Sequence, residues 1–171
     1  MPRSKKISPT RSVAAKLGLP AALIAVLALA GIAFAASRPT VIYTGKVQFQ
    51  SGKTVTALKN GRGDPLYMST HDGRDKSKCT GNCALTFKPV TTTKSVVAKS
   101  GSGLNSKLLR TIKTGSKLQV TYNHHPLYYA PTDLGGPLAL QEGCNKYGGV
   151  WYVLDKHGNA IKPTGPGCQS Y

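Results

Sequence analysis

The sequence predicts a mainly β fold: a compact domain built from two tandem β-rich repeats, following an N-terminal signal or anchor helix. Three observations carry this reading. Pro65-Leu66-Tyr67-Met68-Ser69-Thr70-His71-Asp72 and Pro126-Leu127-Tyr128-Tyr129-Ala130-Pro131-Thr132-Asp133 repeat proline, leucine, tyrosine and aspartate in one order. Self-similarity at a fixed displacement marks a fold assembled from a duplicated unit. Apolar and polar residues alternate with a period of two over several short runs, the pattern of half-buried strands. Finally, 19 Gly and 11 Pro among 171 residues leave little sequence able to hold a long helix.

The chain opens with a leader. Arg3, Lys5, Lys6, Arg11 and Lys16 form a basic region, residues 17–36 are almost wholly apolar, and Ala33-Phe34-Ala35 offers a small-residue cleavage site. An apolar run of this length also just spans a bilayer, so residues 1–36 are read as a signal peptide or an N-terminal membrane anchor. Either way, the remainder lies outside the cytoplasm. The first β-rich repeat, 37–98, begins with Val41, Tyr43, Val47 and Phe49 alternating with Ile42, Thr44, Lys46 and Gln48. Val55 and Ala57 then lead to a reversal at Asn60-Gly61, followed by Leu66-Tyr67.

Residues 99–117 read as a basic connector, starting with the flexible Lys99-Ser100-Gly101-Ser102-Gly103. Within it Leu104, Leu108, Leu109 and Ile112 fall on one helical face, so a short helix is expected over 104–112. In the second repeat, 118–171, Leu118, Val120 and Tyr122 alternate with Gln119, Thr121 and Asn123. The last clear strand is Gly149-Val150-Trp151-Tyr152-Val153-Leu154, ended by the polar turn at Asp155-Lys156-His157-Gly158-Asn159.

Charge is uneven. Removing the leader takes five of the 23 Lys/Arg and none of the six Asp/Glu, leaving 18 basic against six acidic side chains. Lys76, Lys78, Lys88, Lys94, Lys99, Lys107, Arg110, Lys113 and Lys117 lie in a stretch, 76–132, that holds no acidic residue. A single-sign run of this kind attracts anionic surfaces. For an exported protein these are anionic envelope polymers or lipid headgroups. Nucleic acid is disfavoured, because export removes the intracellular targets and aromatic residues are not interleaved with the basic run.

Cys79, Cys83, Cys144 and Cys168 in an exported chain predict two disulfides. Three connectivities are possible, and the favoured one joins the close pair 79–83 in a small loop, leaving 144–168 to pin the tail. The spacing Cys79-x3-Cys83 lacks the C-x-x-C form and βαβ context of active redox dithiols. In the repeated motif Tyr67 and Tyr128 bury their rings and give their hydroxyls partners, while Asp72 and Asp133 cap the following loops. His124-His125, with His71 and His157, reads as surface turn chemistry and not as a metal set, since adjacent strand residues face opposite ways. Arg62-Gly63-Asp64 matches an adhesion tripeptide, but its Gly and the following Pro65 serve the reversal. There is no G-x-S-x-G elbow, H-E-x-x-H or P-loop, so no enzyme activity, cofactor or metal is expected.

Several of these motifs together resemble a bacterial secreted-repeat lipoprotein family of unknown function. Leu66-Tyr67 with Asp72, Cys79-Thr80-Gly81-Asn82-Cys83-Ala84 and Phe87-Lys88-Pro89 carry the resemblance in the first half. Gln119-Val120-Thr121-Tyr122-Asn123, Pro126-Leu127-Tyr128-Tyr129 and Gly148-Gly149-Val150-Trp151-Tyr152-Val153 carry it in the second, over 41–163 in all. The resemblance implies export, often a lipid anchor, and tandem copies with a tyrosine and an aspartate five positions on. The chain departs from the pattern at Ser69 and Ala130, where the family places an aromatic, and at Phe87, where it often places tryptophan. No cysteine precedes Cys79, so the lipid-bearing residue is absent. Asn123-His124-His125 replaces the usual Asn-Gly turn, which predicts a different turn type.

The expected function is that of an exported, non-catalytic cell-envelope protein, a binding or structural module that meets anionic polymer through its basic surface. The alternative is an envelope redox or metal-handling accessory using Cys79, Cys83 and the histidines.

Overall fold

The computed structural model describes residues 39–93, 95–133, 135–164 and 168. The leader and Lys94 lie outside the described residues. The chain is mainly β. Strands β1 (Thr40–Phe49), β2 (Thr54–Asn60) and β3 (Tyr67–Ser69) precede a short helix, α1 (Asn82–Thr86). Next come β4 (Lys88–Pro89), β5 (Thr91–Thr92), β6 (Val96–Ala98), β7 (Leu109–Thr114) and β8 (Lys117–Tyr122). Short strands β9 (His125–Pro126), β10 (Tyr128–Tyr129), β11 (Leu138–Ala139), β12 (Asn145–Lys146) and β13 (Gly149–Val153) complete the order. Among the described residues no helix is long and apolar enough to cross a membrane.

Two long hairpins flank a central sheet. β1 and β2 pair antiparallel from Ile42↔Asn60 to Gln48↔Thr54, and β7 and β8 pair from Leu109↔Tyr122 to Thr114↔Lys117. The central sheet runs β12-β13-β3-β10-β4. At its middle Tyr128 stands opposite Tyr67. To either side, β13 pairs with β3 and β4 pairs with β10. Elements near the C-terminus therefore zip onto the first Pro-Leu-Tyr segment, and elements from the first half zip onto the second.

Packing follows that arrangement. Phe87, just before β4, stacks flat on Trp151 of β13, with ring centroids 3.5 Å apart and planes within 1°. Tyr67 meets the Phe87 ring edge-on, and Tyr128 meets Trp151 in the same way. All four rings are fully buried. They form one core cluster with Val47, Phe49 and Val153, while Ile42, Leu58, Leu66, Val120, Tyr122, Leu127 and Leu154 form a second. Burying an aliphatic or aromatic side chain of this size contributes roughly 1.5–3 kcal/mol, so the two clusters dominate the stabilisation.

Two expectations are corrected. The 104–112 window is not a helix: Ser106–Leu108 forms one 3-10 turn, and Leu109–Thr114 is strand β7. Nine residues are too few to sustain a helix without tertiary support, and here that support comes from the β8 ladder. Much of the supposed connector is therefore sheet. The turn after β8 also keeps the geometry that glycine usually provides. Asn123 (φ 48°) and His124 (φ 68°) are both left-handed, as in a type I′ turn, and Tyr122 pairs with His125 across it.

Candidate functional site

The two motif tyrosines exchange partners. Tyr67 donates its hydroxyl to Asp133 Oδ2 at 2.6 Å, 66 residues away, and Tyr128 donates to Asp72 Oδ2 at 2.8 Å. Each aspartate also holds the loop that follows it: Lys78 N–H donates to Asp72 Oδ1 at 2.7 Å, and Leu140 N–H to Asp133 Oδ1 at 3.3 Å. Burial pushes the Asp133 carboxyl up to about 6, and burial also raises Asp72. Both tyrosine hydroxyls are raised, in each case first by burial.

The other four carboxylates also have hydrogen-bond partners within the chain, and of these Asp64 and Glu142 are buried. Asp64 is buried, receives Asn60 Nδ2 at 2.7 Å and Arg62 at 2.9 Å, and is closed off from any adhesion role of Arg62-Gly63-Asp64. The Nδ1 of His124 lies 2.5 Å from Asp75 Oδ2. Glu142 is buried and accepts the Val153 N–H at 2.7 Å, and desolvation pushes its carboxyl up to about 8. Asp155 accepts the backbone N–H groups of His157 and Asn159 in the last turn.

The basic side chains are arranged differently. Lys76, Lys78, Lys99, Lys107, Arg110, Lys113 and Lys117 are exposed, and Lys88 is half-buried. Lys107, Arg110, Lys113 and Lys117 gather on the β7–β8 hairpin and the turn leading into it. Arg110 and Lys113 alternate to opposite faces of that hairpin, so the charge forms a rim and not one flat patch. Lys76 and Lys78 sit apart, in the loop that leads to the cysteines. Lys99 lies over the Tyr43 ring at 5.2 Å. Among the described residues Arg62 is the only lysine or arginine in a salt bridge.

Two disulfides are formed, Cys79–Cys83 and Cys144–Cys168, with Cα–Cα distances of 5.2 and 4.8 Å. Cys79, Cys83 and Cys144 are buried, and Cys83, within α1, accepts the Phe87 N–H on its carbonyl. Among the described residues no group of three or more His, Cys, Asp or Glu is placed to hold a metal ion.

Sequence reasoning missed the partner exchange, the Phe87–Trp151 stack and Glu142. A signal for Glu142 and Asp133 does exist: they stand in a stretch, 133–145, with no lysine or arginine. Also missed was a cluster across the two halves, in which Arg74 donates to His124 Nε2 at 2.6 Å while Asp75 takes the other ring nitrogen. No family model, curated protein or solved structure matches the chain.

Proposed function

We propose that this is an exported, non-catalytic cell-envelope module that binds anionic envelope polymer through its basic surface. The observation that carries the reading is the division of charge. All six carboxylates accept hydrogen bonds within the fold, while seven of the nine cations in the 76–117 run are exposed and outside any salt bridge. Outside the leader 18 basic side chains stand against six acidic ones, so the net outward field is positive, and the exposed cations are its source. The Glu142 carboxyl, pushed up to about 8, adds to this, since a neutral acid contributes no negative charge.

The scaffold is read as a duplicated unit whose copies exchange strands, with the leader carrying the chain across the membrane. The repeated motif, the reciprocal Tyr–Asp bonds and the alternating order of the central sheet support the duplication. The leader composition and two disulfides support export.

Retention on anionic wall polymer tests the reading. It should fall steeply between about 50 mM and about 500 mM salt, where the screening length drops well below 10 Å. Replacing Lys107, Arg110, Lys113 and Lys117 together by Gln should weaken retention at low salt several-fold. Retention that ignores ionic strength would refute the electrostatic mechanism.

A further inference from the structure

We propose that the cleft between the 68–74 loop and the 123–125 turn is a binding site for a single phosphate or phosphodiester group, anchored by Arg74. The cleft has a volume of about 460 Å³, with Thr70, Gly73 and Arg74 on one side and His124 and His125 on the other. It deepens the envelope-polymer reading by adding a saturable contact, and rests on that reading only for where the phosphate comes from.

The free hydrogen-bonding capacity of the cleft is that of a donor. Asp72 lines it, but both of its oxygens are engaged, one by Lys78 N–H and one by the Tyr128 hydroxyl. Asp75 turns Oδ2 to the His124 ring and does not line the cleft. Ser69 Oγ accepts from His71 N–H, and Thr70 Oγ1 accepts from Val150 N–H, so both hydroxyl hydrogens remain able to donate. Arg74 is exposed, has no carboxylate partner, and directs one of its five N–H groups to an imidazole nitrogen. A ligand made only of acceptors and carrying negative charge fits this set, and a phosphate group is such a ligand.

The tautomer of His124 is fixed by its neighbours. A guanidinium has no acceptor, so Nε2 must receive the Arg74 N–H bond and Nδ1 must carry the hydrogen that faces Asp75. When Arg74 turns to an anion, Nε2 loses its donor while the Asp75 contact at Nδ1 keeps the ring's orientation. The groups facing the two imidazoles are thus Arg74, Asp72 and Asp75, with burial and His124 lowering the His125 pKa.

The cleft's second wall is the type I′ turn itself, with Asn123 (φ 48°) and His124 (φ 68°) as its central residues. The turn is held from beneath by Gly158, where an added Cβ would lie 2.3 Å from that of Asn123.

The chain has four histidines, so the imidazole resonances in ¹H–¹⁵N NMR give a direct test. Titration with dimethyl phosphate at constant ionic strength should move His124 and His125 along a saturable curve and leave His157 in place. Arg74→Gln should weaken that binding about tenfold or more, the usual loss for a charge-assisted bond, and Lys113→Gln should not. No saturation, equal saturation in Arg74→Gln, or parallel movement of His157 would overturn the site. Poly(glycerol phosphate) set against phosphatidylglycerol vesicles separates polymer from headgroup: the Arg74-dependent shift identifies the source, and none with either overturns the proposal. If dimethyl phosphate fails to saturate while wall retention stays salt-dependent, the cleft falls and the surface reading stands. If it saturates while retention ignores salt, the cleft stands and the surface reading falls.

Discussion

Tyr67 meets Asp133 in near-complete burial, with Gln141 N–H approaching the same hydroxyl at 3.4 Å, whereas Tyr128 meets Asp72 beside a cleft open to solvent. The residues are chemically identical and sit at the same spacing. Their surroundings differ. On the first side, β11 and the loop leading to Glu142 seal the aspartate at 3% exposure. On the second, Asp72 stays half-exposed, and Ser77 Oγ at 2.7 Å gives the Tyr128 hydroxyl another partner. One pair is a bolt through the core. The other carries the wall of a cleft.

Breaking the shared centre should have the largest effect. Trp151→Ala removes the stack on Phe87 and the edge contact with Tyr128, and should cost about 3–5 kcal/mol in chemical unfolding, the range for losing a buried large aromatic. A cost below about 1 kcal/mol would mean that the central sheet does not depend on that stack.

Glu142 sharpens the difference between the sides, because it lies on the sealed one. Its Oε1 is buried without a partner, beside a cavity of about 20 Å³ that has room for one water. A carboxyl raised from 4.5 to about 8 contributes stability that is complete below its unfolded value and is lost as pH rises through about 8. Asp133, raised to about 6, adds a loss of the same sign at lower pH. The wild-type protein should therefore be most stable in mild acid. Glu142→Gln should gain on the order of 2–4 kcal/mol near pH 9 and little near pH 5. Unfolding curves across that range check it, and an unchanged pH profile would contradict the buried-acid account.

Much of the fold was legible in the sequence. The runs at 41–49, 118–122 and 149–153 place β1, β8 and β13, but only β13 keeps the expected alternation. In β8 Gln119 and Thr121 are as buried as Val120 and Tyr122, and at the start of β1 Ile42 is buried while Val41 and Tyr43 are half-buried. The reversal at Asn60-Gly61 occurs where expected, with Gly63 rather than Gly61 supplying the positive φ. Residues 104–112 were not legible. Their leucine spacing satisfies a helical face, and only the ladder to β8, formed after the chain has folded back, selects the strand. The partner exchange was hidden for a similar reason: a motif spaced five residues apart suggests a local Tyr67–Asp72 pair, whereas the antiparallel Tyr67–Tyr128 register carries each hydroxyl to the other aspartate. The Arg74–His124–Asp75 cluster joins residues some 50 positions apart, beyond the reach of local patterns.

The smallest effect is the most telling. Equilibrium unfolding of Tyr67→Phe and Tyr128→Phe, each at about pH 5 and about pH 8, compares the two pairs under conditions that do and do not ionise Asp133. At the higher pH, Tyr67→Phe leaves a buried carboxylate without its donor and should cost about 2 kcal/mol, against about 1 kcal/mol or less for Tyr128→Phe. At the lower pH, Asp133 is protonated, and the Tyr67→Phe cost should shrink toward that of Tyr128→Phe. Equal costs at both pH values, or a difference that pH does not change, would contradict the division into a sealed pair and an open one.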